Sequence, residues 1–450
     1  MEDIKQSQYN KMTNTPVEKL IITLSIPAII NMLVTNIYNM VDTAFVGTLG
    51  TSASAAVGII FGFMSIVQAV GFMFGQGSGS ICARLLGAQN DQKASEVAST
   101  AFFGSFFIGV FISIFSLIFL NKLVFWLGAT ATIAPYAKQY LAFILLATPV
   151  MCACFTMNNI LRYEGKAFIG MIGMISGAIL NIVGDAIFIF VLDLGVYGAG
   201  LSTCLSQFVS FAILTYMFLS DQTVCKIRIS LFKAGLPEIF NVMATGLPSM
   251  LRQGLNSLST IFLNYMASPF GDEAVAAFGI VSRIAFFVFS IGLGVGQGYQ
   301  PVSGFNYGAG KYSRIRKGYR FTWLLAQIML MLISTTVIIF NQPILYLFRD
   351  DPKVVEIATR ALILQCLSQI ALPFCVTTEM QLQSTGQKLE ASIMAICRAG
   401  IFFLPTLYLG ATYRGIAGIQ EAQPIATLLS LVPATIFAIR FFKKLPKTDL

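Results

Sequence analysis

The sequence predicts an all-α integral membrane protein: twelve transmembrane helices in two six-helix lobes, related by a parallel pseudo-two-fold repeat. Three observations predict it. Of 450 residues, 56% are hydrophobic and 11% charged, with a mean hydropathy of +0.77. A soluble globule carries roughly 25% charged residues, so the apolar surplus needs lipid as its solvent. Twelve apolar runs reach the length, about 20 residues at 1.5 Å each, that crosses ~30 Å of hydrocarbon. An ungapped self-match at an offset of 221 residues divides those runs six and six.

In order, the spans are 17–42, 54–83, 94–120, 133–160, 168–192, 197–219, 238–267, 273–304, 319–342, 355–384, 389–409 and 415–441. None alternates with period two, and in lipid only helices or closed barrels satisfy the backbone, so each reads as a helix. Before the first span lies a polar tail, 1–16, without the short apolar core and small-residue cleavage site of a signal peptide. Spans one to six make an N-lobe, 17–220, and spans seven to twelve a C-lobe, 237–442. A basic linker, 221–236, joins them within the stretch SDQTVCKIRISLFKAGLP, and a short tail, 443–450, closes the chain. With the N-terminus inside, cytoplasmic loops and tails hold 20 Lys and Arg residues and the opposite side six. The positive-inside rule therefore puts both termini in the cytoplasm.

At the 221 offset Pro27 meets Pro248, Gly50 meets Gly271, the triplet Gly75-Gln76-Gly77 meets Gly296-Gln297-Gly298, and Gly165 meets Gly386. Six spans per half is an even number, so both halves enter the membrane the same way round, and sites in such proteins lie near the midplane. The matched prolines each remove a backbone hydrogen bond and can kink their helices, which marks Pro27 as a hinge.

Composition also excludes. There is no His, which removes His-based dyads, His-ligated zinc and haem. The net charge of +9 belongs to cytoplasmic loops and does not call for nucleic acid. Gly308 to Ser313 (GAGKYS) has a misplaced first Gly and Tyr312 after the Lys, so no nucleotide site is expected. The eight Cys read as free thiols behaving as small hydrophobes.

A carboxylate at bilayer depth costs about 2.5 to 3.5 kcal/mol or more and is a functional candidate by default. Asp42, about 25 residues into the first span, and Asp185, about 17 into the fifth, both fall in the outer half. Asn181 precedes Asp185 by four residues and shares its helical face. Thr203 sits at similar depth in the sixth span. Two acids, an amide and a hydroxyl at one depth suit a coupling cation: a proton taken up by one of two repelling carboxylates, or Na⁺ on the same oxygens. In the other half Glu379 and Arg398 lie toward the cytoplasmic side and are expected to pair or to serve function, while Arg252 and Arg283 are expected to be neutralised by carbonyls or by snorkelling.

The segments IPAIINMLVTNIYNMVDTAFVGTLG (26–50), ILNIVGDAIFIF (179–190) and GVYGAGLSTCLSQ (195–207) resemble the multidrug and toxic compound extrusion (MATE) family, closest to its bacterial DinF-like and MepA-like branch. The resemblance covers essentially the whole chain. It implies that Asp42, Asn181, Asp185 and Thr203 form an N-lobe cation site lined by Tyr38, Tyr140 and Asn158, and that Pro27 bends the first helix. It further implies a multi-pass protein of the bacterial cytoplasmic membrane, exporting cationic and aromatic amphipathic compounds against H⁺ or Na⁺. A monomer without cofactor or resident metal is the expected working form, a state that the residues themselves do not encode. Family members with a C-lobe cation site carry an acid in the seventh span, where this chain has Arg252, Gln253 and Asn256; no such site is carried over.

The leading expectation is thus a non-enzymatic secondary antiporter, one charge through 100 mV supplying about 2.3 kcal/mol, roughly a fiftyfold gradient. The alternative is a flippase for lipids or lipid-linked oligosaccharides of the related superfamily, which would favour a more basic cavity than three intramembrane Arg provide. A membrane-embedded transferase would need larger loops than these.

Overall fold

The computed structural model describes residues 2–220, 222–233 and 235–449; of the expected linker, Asp221 and Ala234 lie outside the described residues, as do Met1 and Leu450 of the tails. Among the described residues every regular element is helical. Among the described residues ten helices are long and apolar enough to cross a membrane, and the pair Pro352–Gln369 and Leu372–Ser384, bent by 49°, meets the same measure when taken as one span. The seventh expected span lies in a 32-residue helix, Leu236–Ala267, whose Arg252, Gln253 and Asn256 dilute its apolar character. Large apolar side chains stand exposed along the spans, Phe111 at 68% and Leu332 at 62% among them. Such surface is stable only against lipid. The chain is a multi-pass membrane protein.

It divides into two compact units. The first takes Met1–Asn14 and Ile30–Met250. It holds α1 (Glu2–Asn14), most of α2 (Val17–Gly47), α3 (Thr51–Gly87), α4 (Asp91–Ile118), the short α5 (Leu120–Trp126), α6 (Ala134–Tyr163), α7 (Ala167–Asp185) with a π-helical turn Ala186–Val191, α8 (Gly195–Leu219), and the start of α9 (Leu236–Ala267). At its centre is α6, packed on α3, α4 and α8, with Tyr140, Leu141, Ile144, Leu145 and Cys152 fully buried. The basic linker is strapped along α4. Ser99 donates to the Lys226 carbonyl at 3.1 Å and accepts from Arg228 N–H at 3.1 Å, and Ser95 accepts from Lys226 N–H at 3.1 Å.

The second unit takes Thr15–Ile29 and Leu251–Leu450. It holds the start of α2, the rest of α9, α10 (Asp272–Gly308), α11 (Tyr312–Ile339), α12 (Asn341–Phe348), α13 (Pro352–Gln369), α14 (Leu372–Ser384), α15 (Lys388–Ile396) with a π-helical turn Cys397–Ile401, α16 (Phe403–Arg414) and α17 (Ile416–Lys444). Here α10 is central, against α11, α13 and α14.

The 221-residue repeat is written into the backbone. The helices α3 and α10 both run 37 residues, and α4 and α11 both run 28. Gly50 and Gly271 open α3 and α10 with φ of 116° and 100°, and Gly165 and Gly386 turn at 85° and 86°. Each of these conformations favours glycine. In each of α2 and α9 the chain changes unit two residues past the matched proline, between Ile29 and Ile30 and between Met250 and Leu251. All eight cysteines are buried free thiols.

Candidate cation-coupling site

The first unit gathers its polar side chains where α2, α6, α7 and α8 meet. From α2 come Tyr38 and Asp42, one turn apart on one face. The last two turns of α7 present Asn181 and Asp185, with the π-helical turn following directly. π-Helical turns in otherwise regular helices recur at functional sites. From α8 come Ser202 and Thr203. Asp185 is fully buried and Asp42, Asn181 and Thr203 nearly so, at 8%, 2% and 3% exposure.

Their hydrogen bonds leave a specific deficit. Tyr140 donates its hydroxyl to Asp42 Oδ2 at 3.2 Å. The Asn181 amide N–H faces Asp185 Oδ1 at 3.4 Å, Ser202 Oγ at 3.3 Å and Thr203 Oγ1 at 3.2 Å. Ser202 donates to the Asn181 carbonyl at 2.9 Å, locking α8 to α7. Asp42 and Asp185 are near enough for the charge of one to act on the other. Asp42 Oδ1, Asp185 Oδ2 and Asn181 Oδ1 are buried without any donor. Beside them a cavity of about 20 Å³, lined by Tyr38, Asn181, Thr203 and Ser206, has room for about one water. Among the described residues no three His, Cys, Asp or Glu side chains gather, so a metal ion here would draw on amide and hydroxyl oxygens as well as carboxylates. The chemistry of this donor set fits H⁺ or Na⁺, a hard cation taken by oxygens.

The structure therefore brings together Asp42, Asn181, Asp185, Thr203, Tyr38 and Tyr140. Asn158 stands apart: it lies against Gly170 of α7, and along α6 it is eighteen residues, roughly 27 Å, from Tyr140. Pro27 falls in the part of α2 that belongs to the second unit. Sequence reasoning missed Ser202, whose position beside Asn181 depends on how α8 is rotated against α7. It also missed Glu164 in the turn after α6. That carboxylate is fully buried and accepts the backbone N–H groups of Val224 and Cys225. Burial pushes its carboxyl up from the usual range, against Lys166 and the two N–H groups, which pull it down.

In the second unit, Glu379 pairs with Arg252 at 2.5 Å, both buried, and not with Arg398 as the sequence suggested. The π-helical turn Cys397–Ile401 carries Arg398 and widens the helix there, changing the face on which regular spacing would put it. Its guanidinium instead lies over the Phe289 ring at 4.7 Å.

A family model, MatE, matches residues 27–187 and 248–409, the two ranges beginning at the matched prolines. The multidrug export protein MepA of Staphylococcus aureus is 27% identical over 434 residues, 96% of each chain. A solved outward-facing multidrug resistance MATE transporter of the MOP superfamily aligns with TM-score 0.90 at 27% identity, covering 96% of this chain and 97% of that one. A MOP superfamily transporter from Pyrococcus furiosus, whose reverse-polarity binding pocket suggests a different function, aligns with TM-score 0.91 at 27% identity over 98% and 99%. With both halves matched by one family model and the whole chain covered by its relatives, this protein belongs to the MatE family.

Proposed function

We propose that this protein is a secondary active antiporter that exports cationic and aromatic amphipathic compounds in exchange for H⁺ or Na⁺ by alternating access. One observation carries the reading: the three buried, donorless oxygens of Asp42, Asp185 and Asn181. Two ionised carboxylates held side by side repel, and a buried acceptor without a donor costs roughly 1–3 kcal/mol. A proton shared by the carboxylates, or Na⁺ drawing on the three oxygens and the Thr203 hydroxyl, relieves both. Ion binding then favours α2 held against α7, and ion loss favours its release; a ligand shifts such an equilibrium only by its differential affinity for the two states. Pro27, with a missing backbone hydrogen bond two residues before α2 changes unit, is the bending point in this reading.

The names of the relatives, a multidrug export protein and a multidrug resistance transporter, support the substrate class. The 20 to six split of basic residues supports cytoplasmic termini in a bacterial cytoplasmic membrane. The working form is a monomer that uses neither cofactor nor nucleotide. Ethidium efflux from reconstituted vesicles, under a pH gradient and a Na⁺ gradient imposed separately, tests the proposal. Efflux that follows one gradient and is lost in Asp185→Asn names the ion. Unchanged efflux in well-folded Asp185→Asn refutes the coupling role.

A further inference from the structure

The second unit holds a half-open cavity of about 160 Å³ that no part of the coupling reading uses. A cavity of about 150 Å³ holds one benzene ring. Its wall combines the rings of Phe286 and Phe289, the amides of Asn256, Gln369 and Gln420, and the guanidinium of Arg398. Arg398 is 8% exposed, and among the described residues its guanidinium lies over the Phe289 face at 4.7 Å. The charges acting on it are the attraction of Glu379 and the repulsion of Arg252, and Glu379 is already engaged by Arg252 at 2.5 Å. The three together carry one net positive charge. Among the described residues no carboxylate lines the cavity. Gln369, 4% exposed, holds its amide N–H on the Ala285 carbonyl at 3.3 Å and leaves Oε1 buried without a donor.

From this geometry we infer that the cavity is a binding site for a small aromatic monocarboxylate bearing a ring hydroxyl. The Arg398 guanidinium presents two parallel N–H groups to the carboxylate, the geometry in which arginine outperforms lysine. Phe286 and Phe289, their rings 6.3 Å apart and tilted by 48°, give the ligand ring an aromatic wall, and Gln369 Oε1 accepts from the hydroxyl. The ligand supplies the negative charge that the Arg252, Glu379 and Arg398 cluster lacks. An uncompensated buried charge is costly, and charge-assisted hydrogen bonds contribute about twice as much as neutral ones. The site is independent of the Asp42 and Asp185 oxygens, so its failure and the failure of the antiporter reading are separable.

The test is titration calorimetry of the full-length purified protein with 4-hydroxybenzoate, in chloride-free buffer and then in chloride. Saturable binding of one equivalent is expected, with Arg398→Gln weaker by about tenfold or more and Arg398→Lys intermediate. Neutral 4-hydroxybenzamide is expected not to bind. Size-exclusion profiles confirm that each variant is folded, and Arg398→Lys keeps the test informative if Arg398→Gln is not. Absence of binding to the wild type, equal affinity for 4-hydroxybenzamide, undiminished affinity in both Arg398 variants, or occupation by chloride alone would each overturn the assignment.

Discussion

Gly77 and Gly298, 221 residues apart, do the same work in the two units. A Cβ on Gly77 would stand 2.1 Å from the Val242 carbonyl oxygen, and one on Gly298 would stand 2.2 Å from Ser25 Oγ and 2.5 Å from Ser25 N. Each closes the Gly-Gln-Gly triplet of a 37-residue helix, α3 or α10, and each seats the segment that precedes a matched proline: α9 before Pro248 in the first unit, α2 before Pro27 in the second. Backbone obstructs both positions, so neither can yield as the end of a flexible side chain would.

Alanine at these two positions is therefore expected to destabilise, by the 1–3 kcal/mol typical of overpacking or more. Gly58, with open space around the position of a Cβ, is the control; Gly58→Ala should be neutral or slightly stabilising, because alanine loses less entropy in a helix. Melting temperatures of the three variants decide it, and equal values would remove the seating role from the triplets.

A second expectation concerns Tyr140, whose hydroxyl donates to Asp42 at 3.2 Å. Tyr140→Phe removes that donor and leaves the ring in place. Transport should fall by about tenfold, the scale of one hydrogen bond to a charged group, while Asp42→Asn and Asp185→Asn abolish ion-coupled ethidium efflux. The variant proteins should insert and purify like wild type. Efflux at the wild-type rate in Tyr140→Phe would show that its hydrogen bond has no part in coupling.

Glu164 gives a pH dependence whose sign can be worked out. Burial, opposed by Lys166 and the N–H groups of Cys225 and Val224, leaves its carboxyl above the ordinary 4.5. Between the ordinary value and the raised one the folded protein binds more protons than the unfolded, so this contribution to stability is fully present below the ordinary value and is lost as pH rises through the raised one. Glu164→Gln should flatten that part of the stability profile. Glu164→Ala should free the linker and hasten tryptic cleavage at Lys226 and Arg228, which limited proteolysis measures directly. An unchanged cleavage rate would mean that Ser95 and Ser99 hold the strap without it.

Much of the first unit's site was legible because depth in a helix is a ruler. At 1.5 Å per residue, Asp42, Asp185 and Thr203 can be levelled against one another, and the four-residue step from Asn181 to Asp185 fixes a shared face. Rotation around the bundle is not encoded that way. Ser202 escaped notice though it touches Asn181 twice, and Asn158 joined the site only by resemblance. Nothing in the sequence marks Glu164, because its burial is made by the linker folding over it. The Gly-Gln-Gly triplets were plain as marks of duplication, but the exchange of helix starts between units needs the backbone approach that only packing reveals. The sequence offers Arg398 as a partner for Glu379 where the structure has Arg252, because a π-helical turn interrupts the regular count.

The Arg252 and Glu379 pair follows from that correction and carries the last prediction. Both side chains are more than nine-tenths buried and meet at 2.5 Å. Glu379→Gln would leave Arg252 and Arg398 facing each other in a low-dielectric interior, and breaking one member of a buried pair costs about 3–5 kcal/mol. Removing both charges, with Arg252→Gln and Glu379→Gln together, should recover most of that, since the desolvation penalty of the pair disappears along with its attraction. Thermal unfolding of the two single variants and the double variant closes the cycle. Recovery in the double variant assigns the pair a structural part in the second unit. If instead the double variant is as unstable as Glu379→Gln alone, the carboxylate is needed chiefly to offset Arg398, and the net positive charge at the aromatic cavity is tuned by Glu379.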